Sequence, residues 1–342
     1  MMPSLYVALQ GNRMSKRYLI IGGGGFIGRH LTRELAESGA QIRVLDIISR
    51  PEQTPDSVEW HQGSILAMND LTRAMEGIDT VFHLAALAHL GVPQTERYEE
   101  INTQGTLNVL EAAKTANITH LLITSTEVIL RDWRQPLTTP LTVTDALPDM
   151  DGMAGPYCRS KLTAEIAARA AMTAGQPISI LYPTVPIGPG DYNLTAPTAM
   201  IKQFLEAPPP AYMDCRLNLA PVEDVARAHV LAASQPAGGT YMLGGEDVDM
   251  ITLLGWLSEL TDKKLPKSTV PYALAALTAH VSTIGAKISD KAPLASVEGV
   301  RLAKHKVYVD SSPTTKTLGW NQGSAREAVE RAAAWLRNAK LD

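Results

Sequence analysis

Two residues four apart, Tyr157 and Lys161, carry the clearest chemical possibility in this sequence. They open a predicted helix beginning at Gly155, so they lie one turn apart on one face. A lysine ammonium beside a phenol favours the phenolate, lowering the tyrosine pKa from about 10 toward the range of a general acid–base. The ammonium can also donate to a ribose hydroxyl. An exposed helical pair has the same spacing, so its meaning depends on its surroundings. Upstream, Leu121–Val128 reads as a strand ending in the hydroxyls of Thr124, Ser125 and Thr126. A hydroxyl at the carboxyl end of a central strand sits where open α/β sheets bind ligands. Ser125 is the candidate for holding a substrate oxygen. Thr126 is its rival if the register differs by one, and a plain strand-end turn is the structural alternative.

Much nearer the N-terminus, Tyr18-Leu-Ile-Ile21 runs into Gly22-Gly-Gly-Gly-Phe-Ile-Gly28 and then a helical pattern. Glycines at 22, 25 and 28 permit a tight strand-to-helix turn and let backbone N–H groups approach a pyrophosphate. The helix N-terminus adds partial positive charge beneath the anion. Glycines alone would mean little; a strand before them and a helix after them supply the context for dinucleotide binding. Asp46 ends the second strand-like run, 18 residues past Gly28. A carboxylate there accepts from the adenosine ribose and repels a 2′-phosphate, which selects NAD over NADP. Arg43 and Arg50 stand close enough in sequence to weaken that preference.

The elements that must position these groups follow from periodicity. Strand-like runs at Tyr18–Ile21, Gln41–Leu45, Val58–His61, Thr80–Leu84, His120–Thr124 and Ile178–Leu181 alternate with helical stretches such as Phe26–Ser38, Glu99–Ala116 and Gly155–Ala174. That alternation predicts a Rossmann-type α/β fold, a doubly wound parallel sheet covered on both faces. Residues 15–185 form the cofactor domain in this reading. Residues 186–342, denser in proline and glycine, form a smaller mixed α/β substrate lobe partly interwoven with the first and ending in an amphipathic helix, Ala325–Lys340. Residues 1–14 read as a disordered extension, with Met14 as an alternative start.

Composition narrows the partners. The 342 residues carry a net charge of −4, with no basic patch for nucleic acid. Two cysteines, Cys158 and Cys215, give neither a disulfide framework nor a metal pair and fit a reducing cytoplasm. The eight histidines show no ligand-like spacing, so no metal is expected. No run approaches the roughly 18 apolar residues of a membrane span. The longest apolar stretch, Pro271–Ala286, reads as a helix over the substrate lobe, with an interfacial membrane helix as the minor alternative.

Together, Gly22–Gly28 with Phe26-Ile27, Asp46, Val81-Phe-His-Leu-Ala-Ala86, Ile101-Asn-Thr-Gln-Gly105, Ser125 and Tyr157-x-x-x-Lys161 resemble an extended short-chain dehydrogenase/reductase of the NAD-dependent epimerase/dehydratase family. The nearest likeness is to the hopanoid-associated sugar epimerase, dihydroflavonol reductase and 3β-hydroxysteroid dehydrogenase group. It is carried by Gly155–Lys161, Pro183–Gly190, Leu217–Val225, Met242–Glu246 and Val297–Leu302. The resemblance implies a catalytic set of Ser125, Tyr157 and Lys161, with Asn102 organising the lysine through water. It also implies an NAD site along Gly22, Gly25, Phe26, Ile27, Gly28, Asp46, Ser64, Ile65, Leu84, Ala85, Ala86, Thr124, Tyr157, Lys161, Pro183 and Val185. Ala88, Thr126, Glu127, Asn193 and Arg216 fall toward the substrate.

Departures from the pattern matter too. Ser64 stands where the family usually has an adenine-binding aspartate, Pro221 replaces a frequent histidine, and Tyr182 precedes Pro183 in place of arginine or asparagine. Thr126-Glu127 replaces the Asp-Glu pair of sugar-nucleotide dehydratases, which argues against dehydration. Arg216 and Arg301 are the two loose candidates for holding a substrate diphosphate. Met200, Phe204, Leu205, Met213, Tyr272, Leu274 and Leu277 instead form an apolar inventory suited to a lipid-like or aromatic alcohol or ketone, or to an ordinary core. The resulting expectation is an NAD-dependent oxidoreductase acting on a small molecule. A sugar epimerase that oxidises, reorients and re-reduces one sugar carbon is the alternative, and a non-catalytic dinucleotide sensor a remote one. The resemblance also implies a homodimer built on Glu99–Ala116 and Gly155–Ala174.

Overall fold

The structure, a computed structural model, describes residues 16–144, 146–289 and 295–339, without the side chains of residue 284 and residues 287–289. The N-terminal extension expected at 1–14 lies outside the described residues.

Strands Arg17–Ile21 (β1), Gln41–Asp46 (β2), Val58–Gln62 (β3), Thr80–His83 (β4), His120–Thr124 (β5) and Ile178–Pro183 (β6) form a parallel sheet. A seventh strand, Thr240–Leu243 (here β10, after three short strands), joins beside β6 from the second half of the chain. The order is β10-β6-β5-β4-β1-β2-β3. The chain therefore leaves β1 in one direction, through β2 and β3, and resumes at β4 on the other side of β1. That reversal opens a crevice past the carboxyl ends of β1 and β4, the place where such sheets bind ligands. Strands β4 and β6 are buried at every position, as a sheet covered on both faces requires.

Helix Phe26–Glu37 (α1) buries Gly28, Leu31, Thr32 and Leu35, one stripe at helical spacing. It ends at Ser38, and Gly39 takes a left-handed φ of 77° just beyond. Met68–Met75 (α2) follows β3. After β4 a helix begins at Glu96–Tyr98, passes through a π-helical turn at Glu99–Gln104 and continues as Gly105–Thr115 (α3). Helix Pro156–Thr173 (α4) starts with proline in its first turn, where the missing N–H costs nothing.

The second half of the chain adds β7 (Val185–Ile187), β9 (Arg216–Pro221) and β11 (Glu246–Asp249), paired as a three-stranded sheet. The short pair Ala211–Tyr212 (β8) and Ser268–Thr269 (β12) stands apart from it. Helices Ala196–Glu206 (α5), Met250–Thr261 (α7) and Ala325–Asn338 (α11) enclose a core containing Phe204, Leu219, Leu253, Leu257 and Val329. Val222–Ala232 (α6) does not stay with that core. It packs in the same buried cluster as Leu31 and Leu35 of α1, against the large sheet. Tyr272–Ser289 (α8) and Val297–Leu302 (α9) lie together through Ala275, Ala279 and Val300. Ser312–Leu318 (α10) precedes the buried Trp320.

Candidate active site

At the carboxyl end of β1, Gly22 has φ of 87° and donates its N–H to the Leu45 carbonyl at 2.9 Å. A side chain there would lie 2.6 Å from the Ala85 nitrogen, so the loop lies directly on the turn that follows β4. At Gly28 a Cβ would sit 2.2 Å from the Gly22 carbonyl oxygen. Only glycine lets α1 begin this close to β1. The helix starts at Gly25 with no side-chain cap, so its first-turn N–H groups are left to an anion. These residues fit a dinucleotide pyrophosphate.

Asp46, at the end of β2, accepts N–H groups from Gly24 at 2.8 Å and Ile48 at 3.2 Å. Its carboxylate is thereby fixed beside the loop. The two arginines that could have favoured a 2′-phosphate have other work. Arg43 pairs with Glu59 at 2.9 Å and donates to the carbonyls of Ala74 and Glu76. Arg50 donates to the Pro55 carbonyl at 2.9 Å and stands 3.6 Å from Asp56. Arg29 is a third cation near Asp46; its Nε donates to the Gly24 carbonyl at 2.7 Å, and its guanidinium lies 4.5 Å above the Tyr192 ring. Ser64 has its N–H taken by Asp70 at 3.0 Å, and Ile65 packs on Gly105 at the start of α3.

The catalytic candidates meet past the end of β5. The Thr126 side chain stands beside the Tyr157 phenol and favours its ionised form against larger opposing influences. Ser125, buried beside Thr126 at the same strand end, donates its N–H to the Leu181 carbonyl at 2.7 Å. Lys161 is buried, and its Nζ donates to the Thr124 carbonyl at 3.0 Å. Burial brings its ammonium down to about 8, against the opposing pull of Glu165. The same burial raises the Tyr157 phenol above the ordinary tyrosine range, with Cys158, Glu127 and Glu298 adding to the rise. The lowered tyrosine expected from spacing with Lys161 is thus absent from the protein alone: desolvation outweighs the lysine.

Asn102 sits in the π-helical turn, a distortion often found at functional sites. Its Oδ1 accepts the Leu87 N–H at 2.7 Å, and its Nδ2 donates to the Leu87 carbonyl and to Ser160 Oγ. Ser160 Oγ in turn donates to the Tyr157 carbonyl. Asn102 therefore ties the loop after β4 to the catalytic helix rather than touching Lys161.

The substrate-side candidates divide. Glu127 lies next to the Tyr157–Thr126 pair, and burial pushes its carboxyl up to about 8 despite the nearby Arg131. Arg216 is not free: it forms a two-pronged pair with Asp249 at 3.0 and 2.8 Å and lies 4.2 Å over the Tyr308 ring. Arg301 donates to the Ala154 carbonyl at 3.0 Å. Ala88 and Asn193 are exposed, Pro183 is buried in β6, and Val185 opens β7. Of the apolar inventory, Phe204 is core, with Met200 and Leu205 packed around it, while Leu274 and Leu277 stand exposed on α8. Tyr182 faces α4, bonded to Glu165 and Arg169, and takes no part in the crevice.

Two residues near the phenol escaped the sequence reading. Tyr98 places its ring edge-on to Tyr157 with centroids 6.2 Å apart and hydrogen-bonds the His89–Val92 loop. Glu298 reaches the start of α4 from far along the chain. No local spacing could have announced either. Among the described residues no group of histidine, cysteine and carboxylate side chains could hold a metal.

A switch-point crevice, a glycine turn under a helix N-terminus and a Tyr-Lys helix define a dinucleotide enzyme of the extended short-chain dehydrogenase/reductase type. The profile of the NAD dependent epimerase/dehydratase family matches residues 18–244, and the chain belongs to that family. NAD is accordingly its cofactor. A Synechocystis protein named "Putative dihydroflavonol 4-reductase" is 32% identical over 95% of this chain and 96% of its own length. The Bos taurus sterol-4-alpha-carboxylate 3-dehydrogenase, decarboxylating, is 28% identical over 76% of this chain and 74% of its own. Among solved structures, that of gox2253 superposes with a TM-score of 0.79 at 29% identity, covering 94% of this chain and 98% of the other.

Proposed function

We propose that this enzyme interconverts a secondary alcohol and a ketone, with Tyr157 as general acid–base and Thr126 holding the substrate oxygen. Tyr157 beside the hydroxyls at the end of β5, with Lys161 one turn away and bonded to the Thr124 carbonyl, supports this reading. NAD, when bound, supplies the hydride acceptor for the alcohol and a cationic ring beside the phenol. A phenol held above its usual range stays protonated at neutral pH, the form that gives its proton to a ketone oxygen as the carbon is reduced. In the opposite direction the phenolate takes the hydroxyl proton. Thr126 Oγ1 donates to the same oxygen and fixes its position. Lys161 presents a buried ammonium whose charge favours the phenolate, and it would donate to a ribose hydroxyl of the bound dinucleotide. Ser125, beside Thr126 at the same strand end, is the alternative donor to the substrate oxygen.

The engagement of Arg216 and Arg301 favours a lipid-like or aromatic substrate over a nucleotide sugar, and with it a dehydrogenase over an epimerase. The occupied Arg43 and Arg50 favour NAD over NADP. Residues 15–185 serve the cofactor and 186–342 the substrate in this reading. Exposed Leu107 on α3 and Ile166 on α4 support a homodimer through those two helices. Two buried, unpaired cysteines support a reducing cytoplasmic setting, and among the described residues no helix is long and apolar enough to cross a membrane.

The test is purification followed by mass spectrometry of released small molecules, then added NAD with hydroxysteroid and aromatic alcohols. A dehydrogenase generates the absorbance band of reduced nicotinamide. Interconversion of sugar epimers with no net change in that band would overturn the proposal.

A further inference from the structure

The catalytic helix has no cap of its own. Its N-cap is Gly155, which has no side chain to offer, and Pro156 has no N–H. The next two backbone donors, Tyr157 and Cys158, would be left unpaired in the interior. Both go to one carboxylate: Glu298 Oε1 accepts the Cys158 N–H at 2.8 Å and Oε2 the Tyr157 N–H at 3.2 Å. Glu298 belongs to α9, 140 residues further along the chain, and is 4% exposed. Gly155 makes room for it, since a Cβ there would lie 2.6 Å from the Glu298 carboxyl carbon. The same short helix fixes the preceding turn through Arg301 and the Ala154 carbonyl.

We infer that Glu298 is the positioning residue of this active site, a cap supplied from the C-terminal lobe that sets both the placement and the ionisation of Tyr157. A carboxylate at a helix N-terminus is favourable toward the dipole and accepts charge-assisted bonds. That same negative charge, held at the Tyr157 and Cys158 N–H groups, adds to the groups that disfavour phenolate. The other groups around Tyr157 are Glu127 from the turn after β5, Cys158 and Lys161 on its own helix, and the Tyr98 ring. Arg159 and the Cys158 thiol face Glu298 itself. An uncharged side chain would cap one N–H and leave the phenol easier to ionise.

This inference rests on the proposed role of Tyr157, so its test reads the phenol directly. Tyrosine is labelled with ¹³C at Cζ, and the Tyr157 signal is assigned by its loss in Tyr157→Phe. In Glu298→Gln the phenol titration moves to lower pH than in the unaltered protein, and turnover falls roughly tenfold or more as the ring is displaced. Arg301→Ala loosens the same joint without removing the charge, so it lowers turnover and leaves the phenol titration in place. An unmoved Tyr157 titration in Glu298→Gln, with only a lower melting temperature, would show a purely structural cap and overturn the inference. If Glu298→Gln does not fold, Gly155→Ala, which displaces the carboxylate, must shift the same signal or the inference fails. Loss of the proposed catalytic role would show separately, as turnover retained in Tyr157→Phe.

Discussion

The glycine turn and the proposed catalytic pocket are built in opposite ways. At the turn, backbone does the work: Gly22 and Gly28 exist to let main-chain atoms approach, and the binding groups are N–H groups fixed by a strand and a helix adjacent in sequence. At the pocket, side chains do the work, and each is delivered by a different part of the chain. Thr126 follows β5, Tyr157 and Lys161 ride α4, Asn102 sits in a π-helical turn, and Glu298 arrives from α9. Binding the cofactor needs local geometry; chemistry needs the whole fold to converge.

The sharpest way to break this contrast is Tyr157→Phe. Removing the phenolic proton is expected to cut turnover by roughly 10²- to 10⁴-fold, the range for losing general acid–base catalysis. NAD affinity, measured by calorimetry, should change far less than turnover, because the pyrophosphate and ribose contacts proposed at the glycine turn and Asp46 are untouched. Retained turnover would remove Tyr157 from the chemistry altogether.

The hydroxyl pair comes next. Thr126→Ala should lower turnover by about 10²-fold, the scale for losing one positioned donor to the reacting oxygen. With Thr126 as the donor, Ser125→Ala should cost only a few-fold. The reverse ranking, read from steady-state rates of the two variants side by side, would move the role back to Ser125.

Those two outcomes also bear on what the sequence could reveal. The glycine turn and Asp46 were legible because their logic is local: strand, glycines, helix and carboxylate occur in order within thirty residues. The parallel sheet was legible for the same reason, through runs such as Ile178–Leu181 buried on both faces. Spacing could not decide between Ser125 and Thr126, a choice left to those two variants, because a one-residue shift at a strand end exchanges which side chain faces the crevice. Nor could spacing show that Arg216 is spent on Asp249 or that Glu298 caps α4, since both contacts join segments distant in the chain. The downward pull on Tyr157 expected from Lys161 failed for a related reason. Desolvation depends on everything packed around the ring, which no pair spacing records.

A smaller effect sharpens the backbone side. In Gly28→Ala the new methyl group meets the Gly22 carbonyl, which cannot swing aside like a flexible side chain. NAD affinity is expected to weaken by about tenfold or more, near 1.4 kcal/mol, with calorimetric titration as the check. Equal binding by the variant would mean that α1 can start further from β1 than this packing shows.

The smallest effect separates the two regions by pH. Glu127 is raised from 4.5 to about 8, so the folded protein holds more protons there than the unfolded chain between those values. Stability contributed by the neutral carboxyl is therefore lost as pH rises through that window. Lys161 is lowered from 10.5 to about 8, so the folded protein holds fewer protons between 8 and 10.5 and regains stability as pH climbs. The two groups together place a shallow minimum near pH 8. Melting temperatures across this range should show it flattened on the acid side in Glu127→Gln and on the alkaline side in Lys161→Met. The Gly28→Ala deficit should be nearly constant with pH, because backbone N–H groups and a methyl clash do not titrate. A Glu127→Gln profile parallel to that of the unaltered protein would show that the carboxyl is already ionised in the folded state. Charge at the pocket would then be set by water reaching it rather than by burial.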